Sequence, residues 1–316
     1  MAHASPTKDH SKEQALNRRF YPGGSSRSGA AMVDITVNLA GWRYSGLRIL
    51  SMTAGETHEF ATGTTEMAIL PLSGGLTVEV EAHSFRLEGR DGVFDAVTDF
   101  AYVPIDVAVR ITAQGPLQVA LCTAEATRRI DPYRVAAQDV RVEVRGGGAG
   151  TRQINNFLSA DVADADKLIA VEVLTPEGSW SSYPPHKHDE TTEAEIELEE
   201  IYYFRIDGEN GFGFFRCFTS DGEIDDTLTV CDGDVYLVPR GFHGPAAAAP
   251  QHNMYYLNVM AGPSPERAWR FCDDPRHAWV RDVLEGLPGD PRLPMTGPRH
   301  TRDGPRSDMF RPSSGS

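Results

Sequence analysis

Four side chains with metal-binding chemistry lie between His186 and His243. His186 and His188 flank Lys187, and in an extended chain alternate side chains share a face, so both imidazoles would point the same way. Glu200 directly precedes a strand-like run of apolar residues, and His243 ends a Pro-Arg-Gly-Phe-His turn. Three imidazoles and one carboxylate suit Zn²⁺, Mn²⁺ or Fe²⁺ and leave positions open for substrate oxygen atoms.

These motifs are stronger evidence for a metal site in combination than separately. A His-x-His pair or a strand-end glutamate is by itself more often an ordinary surface or core feature, because short patterns occur by chance. Here each motif has the strand or turn context that it needs, and Glu200, Tyr202 and Phe204 would alternate onto one inward face. The combination predicts a metal site at the open end of a β-barrel.

The elements that must position this site are short strands. Alternating apolar and polar runs are separated by Gly, Pro and Asp at intervals typical of antiparallel sandwiches and barrels. Two such sets, each with a glycine-bounded strand near its middle, indicate two related β-lobes joined near the glycine cluster 146–148. We therefore predict an all-β fold with few short helices, organised as a flexible arm (1–30), a lobe without metal (31–145), a metal-binding lobe (150–285) and a disordered tail (286–316).

Composition restricts the class of protein further. The chain has 316 residues, of which 40% are hydrophobic, so a buried core is expected. A formal net charge of −15 argues against nucleic-acid binding, which needs basic patches. The amino terminus lacks the apolar core of a signal peptide, and no apolar run is long enough to span a membrane. The four cysteines form no Cys-x-x-Cys pair, which favours a reducing cytoplasm.

Several consecutive segments resemble the 5-deoxy-glucuronate isomerase family of inositol catabolism. They are GSWSSYPPHKHD, LEEIYYFRI, GFGFFRCFT, DGDVYLVPRGFHG and YYLNVMAGP. The resemblance extends over about residues 30 to 285 and implies a bicupin, with two double-stranded β-helix (jelly-roll) lobes, related to the 5-keto-4-deoxyuronate isomerases of pectin breakdown. By motif position it places the divalent metal on His186, His188, Glu200 and His243.

This chain departs from the general cupin pattern in the spacing of its ligands. The acidic segment 189–199 separates His188 from Glu200, and Glu193 lies at the more usual spacing, so it is a rival ligand. We prefer Glu200, because a ligand at the start of a strand is better preorganised than one in a polar loop. The segment itself is expected to be solvated, with a role as a lid or in metal capture left open. In the first lobe, His58 and Glu66 could be remnants of the same pattern.

The resemblance implies aldose–ketose conversion of 5-deoxy-D-glucuronate to 2-deoxy-5-keto-D-gluconate. Such a reaction needs an acid/base group, for which Tyr202 and Tyr256 are candidates, each with core packing as the alternative. The substrate carboxylate needs an arginine fork, for which Arg240 is the candidate, with an ordinary surface arginine as the alternative.

Other functions stay open on the sequence alone. They are a 5-keto-4-deoxyuronate isomerase, a metal-dependent dioxygenase on the same scaffold, and a non-catalytic sugar-binding cupin. The expected partner is a small sugar acid rather than a nucleic acid or a membrane, and assembly into a homo-oligomer is left open.

Overall fold

A computed structural model describes residues 18–298 of the chain. The strands of the first half are β1 (Phe20–Tyr21), β2 (Ala31–Ile35), β3 (Ser45–Met52), β4 (Thr57–Ala61), β5 (Thr65–Val80), β6 (His83–Arg90), β7 (Phe100–Val103), β8 (Ala108–Ala113), β9 (Leu117–Glu125) and β10 (Tyr133–Val135). The strands of the second half are β11 (Arg141–Arg145), β12 (Arg152–Asn156), β13 (Ile169–Thr175), β14 (Trp180–Ser181), β15 (His186–Lys187), β16 (Glu199–Ile206), β17 (Phe212–Phe218), β18 (Asp225–Cys231), β19 (Val235–Val238), β20 (Phe242–Ala248), β21 (Met254–Ala261) and β22 (Cys272–Asp273). The helices are α1 (Val37–Ala40), α2 (Trp279–Glu285) and the 3₁₀ turns Ala137–Asp139 and Gly148–Gly150.

The strands form three antiparallel sheets. Strands β2 to β10 make one nine-stranded sheet. The second half makes a seven-stranded sheet in the order β1-β19-β16-β21-β13-β12-β11, and a six-stranded sheet built around β18-β17-β20-β15-β22. The all-β fold with few short helices is therefore confirmed. No helix within residues 18–298 is long and apolar enough to cross a membrane.

Buried apolar side chains form three clusters. One lies within the first half and contains Ile69 and Ile111, and one lies within the second half and contains Phe204 and Phe215. The third cluster joins side chains from both halves, such as Tyr102 and Tyr255. Removing a side chain of this size from water stabilises the fold by about 1.5–3 kcal/mol. The two halves are therefore held together by a shared hydrophobic core.

A buried ion pair and several hydrogen bonds also connect the two halves. The Arg90 guanidinium binds the Glu172 carboxylate through two bonds of 2.8 Å, and neither side chain is exposed. The Glu66 carboxylate accepts hydrogen bonds of 2.6–2.8 Å from the backbone amides of residues 166–168. Tyr102 donates its hydroxyl to the same carboxylate over 2.7 Å. Glu66 therefore joins the two halves.

The predicted boundary between the lobes lies too late in the chain. Strand β11 was assigned to the first lobe, but it pairs with β12 in the seven-stranded sheet of the second half. The glycine cluster 146–148 therefore lies in the connection between β11 and β12. The chain crosses from one half to the other between β10 and β11, at residues 136–140.

Parts of both predicted tails are held by the fold. Phe20 and Tyr21 pair with β19, and residues 295 and 296 donate their backbone amides to the side chain of Gln153. The flexible arm and the disordered tail were therefore predicted too long. Their outer parts, residues 1–17 and 299–316, lie outside the described residues.

Candidate metal centre

Backbone pairing between short strands aligns the predicted histidines. On β15, His186 pairs directly with His243 of β20. On β16, Glu200 is the second residue, and its neighbours across the ladder are Val238 of β19 and Met260 of β21. Because alternate residues of a strand share a face, Glu200 points into the barrel together with Tyr202. Both sheets of the second half thus contribute to one buried site.

Three of the four predicted ligands form a close group. The ligand atoms of His188, Glu200 and His243 lie within 4.8 Å of one another, and all three residues are buried. His188 Nε2 lies 2.9 Å and His243 Nε2 3.0 Å from the same oxygen of Glu200, Oε2. His186 is not part of this close group, but its ring centroid lies 4.5 Å from that of His243.

The three imidazoles are oriented in the same way by the backbone. The Nδ1 atoms of His186, His188 and His243 face the carbonyl oxygens of Pro184, Leu198 and Gly241, at 3.4, 3.1 and 3.3 Å. A proton on each Nδ1 would bond to its carbonyl and leave Nε2 with a free lone pair. Such a contact is the usual way in which proteins fix the tautomer of a metal-binding histidine.

Unsatisfied buried atoms show that these residues fit a cation. Glu200 Oε1 is buried without a hydrogen-bond partner, and His243 Nε2 approaches Oε2 without hydrogen-bond geometry. Burial alone would raise the pKa of Glu200, but His243 and His188 lower it well below its usual value. Burial and His243 lower the pKa of His186, which keeps that ring neutral. Three imidazoles around an ionised carboxylate form a donor set that suits a divalent transition metal.

The other acidic residues of the segment lie elsewhere. Glu193 is exposed in the loop between β15 and β16. Glu199 faces away from the histidines and accepts hydrogen bonds of 2.7–2.9 Å from the backbone amides of residues 43–45. The structure thus brings Glu200, and not Glu193, to the histidines. The acidic segment is also not fully solvated, because Glu195 is buried and binds Lys187 Nζ at 2.6 Å.

A cavity opens beside His186. His186, Tyr202 and Tyr256 line it, and both tyrosine hydroxyls contact the hydroxyl of Ser182, at 3.3 and 3.0 Å. Burial raises the pKa of both tyrosines, so each hydroxyl keeps its proton at neutral pH. The two tyrosines are therefore placed where a hydroxyl can donate to a bound oxygen atom.

The structure does not bring Arg240 to this cavity. Its guanidinium lies on the surface, 3.0 Å from Asp221 and 2.5 Å from Glu223. The turn before His243 points this side chain outward, where the two acids neutralise it. It is therefore not in place to bind a carboxylate beside the histidines.

Sequence reasoning missed the arginines that do line the cavity. They are Arg145, Arg152 and Arg281. Arg145 and Arg152 lie at the paired ends of β11 and β12 and face each other across the ladder. The alternation Arg152, Ile154 was the available signal, because it places Arg152 on the inward face once β12 is recognised as a strand. The neighbouring glycine cluster 146–148, which suggests a connection between lobes, obscures β12 as a strand.

Known proteins resemble the chain over most of its length. A sequence profile of the KduI/IolB family matches residues 20–280. The 5-deoxy-glucuronate isomerase of Geobacillus kaustophilus is 37% identical over 270 residues, which are 84% of this chain and 96% of that protein.

Solved structures resemble it as well. An IolB-like protein from Salmonella typhimurium superimposes with a TM-score of 0.78 and 33% identity, over 83% of this chain and 99% of that one. An oxalate decarboxylase of Bacillus subtilis, at 12% identity, superimposes with a TM-score of 0.59 over 86% and 87% of the two chains, which shows the bicupin fold alone. The chain is a member of the KduI/IolB family.

Proposed function

We propose that the chain is a metal-dependent aldose–ketose isomerase that converts 5-deoxy-D-glucuronate to 2-deoxy-5-keto-D-gluconate in inositol catabolism. The observation that carries this is the buried group of His188, Glu200 and His243, with His186 beside it, next to a cavity that Tyr202, Tyr256 and three arginines line. The similarity to proteins named 5-deoxy-glucuronate isomerase supplies the substrate. Four free cysteines agree with a reducing compartment, and we place the reaction in the cytoplasm.

The reaction moves a hydrogen between neighbouring carbons without net oxidation. The carbon that carries the hydroxyl loses its C–H proton, whose electron pair forms the double bond of an enediol, and then its O–H proton, and becomes a carbonyl. The aldehyde gains one proton on carbon and one on oxygen and becomes an alcohol. A divalent metal held by His186, His188, Glu200 and His243 would supply a Lewis acid that polarises the aldehyde and acidifies the neighbouring hydroxyl.

The side chains of the cavity bind the substrate and donate hydrogen bonds to it. The hydroxyls of Tyr202 and Tyr256 remain protonated and donate hydrogen bonds to substrate oxygen atoms, where negative charge develops during the reaction. Ser182, which contacts both, orients them. Burial of the histidines excludes bulk water, so these hydrogen bonds act in a medium of low dielectric constant.

An anaerobic assay tests the proposal. Protein stripped of metal with a chelator should not convert 5-deoxy-D-glucuronate, and readdition of Zn²⁺, Mn²⁺ or Fe²⁺ should restore formation of the ketose, followed by NMR. A 5-keto-4-deoxyuronate offered in parallel should react more slowly, as judged by kcat/KM.

Two results would count against the proposal. Undiminished turnover by the metal-free protein would remove the assigned chemistry. Product formation that depends on oxygen uptake would favour a dioxygenase on the same fold.

A further inference from the structure

One guanidinium in the cavity lacks a carboxylate partner. Arg145 binds Glu143 at 2.7 Å through Nε, and Arg281 binds Asp273 through two bonds of 2.6 Å. Among the described residues, Arg152 makes only one long hydrogen bond, of 3.4 Å, to the carbonyl oxygen of Gly150. Arginine is always charged in proteins, so Arg152 contributes an uncompensated positive charge to the cavity wall.

The neighbours of Arg152 increase this positive charge. Arg145 lies directly opposite Arg152 in the ladder, and like charges in that position are destabilising. Arg281 lines the same cavity. Burial lowers the pKa of Arg152, and the charges of Arg145 and Arg281 lower it further, against the opposing effect of Tyr256 and Asp273. An anionic ligand would relieve the repulsion.

Two more donors in the cavity are also without acceptors. Asn258 is 2% exposed, and its amide nitrogen is buried with no hydrogen-bond partner, although the side chain lies close to the Tyr202 hydroxyl. The indole nitrogen of Trp269 is buried and unpartnered as well. Both residues line the cavity with Arg152. Since a buried donor without an acceptor is costly, these groups fit a ligand rich in oxygen acceptors.

We propose that Arg152 binds the carboxylate of the sugar-acid substrate, with Asn258 and Trp269 donating to its other oxygen atoms. This inference rests on the proposed function for the identity of the substrate. In the six-carbon substrate the carboxylate and the reacting aldehyde are at opposite ends. His186 and Arg152 line the same cavity, so the reacting end of the substrate would face His186 and its carboxylate would face Arg152.

The arrangement also gives specificity. A guanidinium matches a carboxylate through two parallel N–H···O bonds, whereas a neutral sugar would leave the half-buried charge of Arg152 without a carboxylate partner. Neutral aldoses should therefore bind poorly for lack of the anion, even though their aldehyde and hydroxyl groups are the same.

Direct binding tests the assignment without turnover. D-glucuronate, which carries the carboxylate, and D-glucose, which lacks it, are titrated by ligand-observed NMR into the metal-loaded protein and into the Arg152→Gln, Arg152→Lys and Arg110→Gln variants. Arg110 is an exposed arginine of the first half, paired with Glu59, and serves as the control.

We expect Arg152→Gln to weaken D-glucuronate binding about 10- to 100-fold, as loss of a charge-assisted hydrogen bond does, and to change D-glucose binding less than about twofold. Arg152→Lys should lie between Arg152→Gln and the wild type, because it keeps the charge but not the fork. Arg110→Gln should bind like the wild type. Circular dichroism and melting curves confirm that each variant is folded.

Three results would overturn the inference: unchanged D-glucuronate binding in folded Arg152→Gln or Arg152→Lys, equal weakening for both sugars, or no preference of the wild type for D-glucuronate. Each is distinct from failure of the proposed function. Turnover of 5-deoxy-D-glucuronate by the wild type reports on that function, and the ratio of the two binding constants reports on Arg152.

Discussion

At the scale of single residues, the site depends on one carboxylate. Glu200 approaches two imidazoles through the same oxygen, and its other oxygen is buried without a partner. An ionised carboxylate is rarely stable in such surroundings unless a cation or several donors compensate it. Burial would lower the pKa of His188, but the hydrogen bond to Glu200 raises that pKa overall. Metal binding would displace the proton that His188 donates in this hydrogen bond.

Exchange of Glu200 for glutamine tests this assignment. Glu200→Gln keeps the shape but removes the charge, so we expect metal affinity to fall by at least the 10- to 100-fold that is typical of changes around a metal site. Plasma emission spectroscopy after dialysis against a metal buffer measures the loss. Glu193→Gln is the matched control, and a loss of metal in that variant alone would show that the rival acid is the ligand.

At the scale of elements, the loops that carry the histidines are tied to each other. Lys187 Nζ binds Asp189 at 2.7 Å and Glu195 at 2.6 Å, which fastens the acidic segment to β15. Asp189 also accepts a hydrogen bond of 2.7 Å from the backbone amide of Gly241, whose own carbonyl faces His243. The acidic segment therefore supports the turn that positions a ligand.

Loss of the hydrogen bond between Asp189 and the Gly241 amide should weaken metal binding although every ligand is kept. We expect Asp189→Ala to weaken metal binding about tenfold, because the Gly241 turn would lose its anchor. Competition with a fluorescent chelator measures the affinity. Glu190→Ala is the control, since Glu190 is exposed and contacts Lys187 only at 3.5 Å. Equal metal affinity of Asp189→Ala and the wild type would show that the Gly241 turn keeps its conformation without Asp189.

The sequence was sufficient for the fold class and for the grouping of His188, Glu200 and His243, because alternation and turn residues are local signals. It was insufficient for Arg240, whose direction depends on where Asp221 and Glu223 lie in the folded chain. It was insufficient for Arg152 too, because the glycines before it suggested a linker and only the pairing with β11 makes it part of a sheet. Side-chain partners distant in sequence are tertiary information.

At the scale of the whole molecule, polar groups at the interface between the two halves fix their packing. The Arg90–Glu172 pair is fully buried, and Asn155 donates to the same carboxylate over 2.7 Å. Removing one partner of such a pair leaves an uncompensated charge inside the protein, which destabilises proteins by about 3–5 kcal/mol.

We therefore expect Glu172→Gln to lower the free energy of unfolding by about 3–5 kcal/mol in urea titrations followed by circular dichroism. The exposed pair Arg86–Glu88 provides the control, and Glu88→Gln should change stability by less than about 1 kcal/mol. The double variant Arg90→Met/Glu172→Leu should recover most of the loss, because no buried charge then remains. Equal stability of Glu172→Gln and Glu88→Gln would contradict the argument.

The short strand β1 has a consequence for how the protein is made. Phe20 pairs with Tyr236, and Arg19 binds Asp226 at 2.9 Å, so an early segment completes a sheet whose other strands are translated much later. During synthesis this segment stays unpaired until β19 has left the ribosome. The lobe that carries the histidines thus reaches its final form only after residues 20 and 21 have paired with β19.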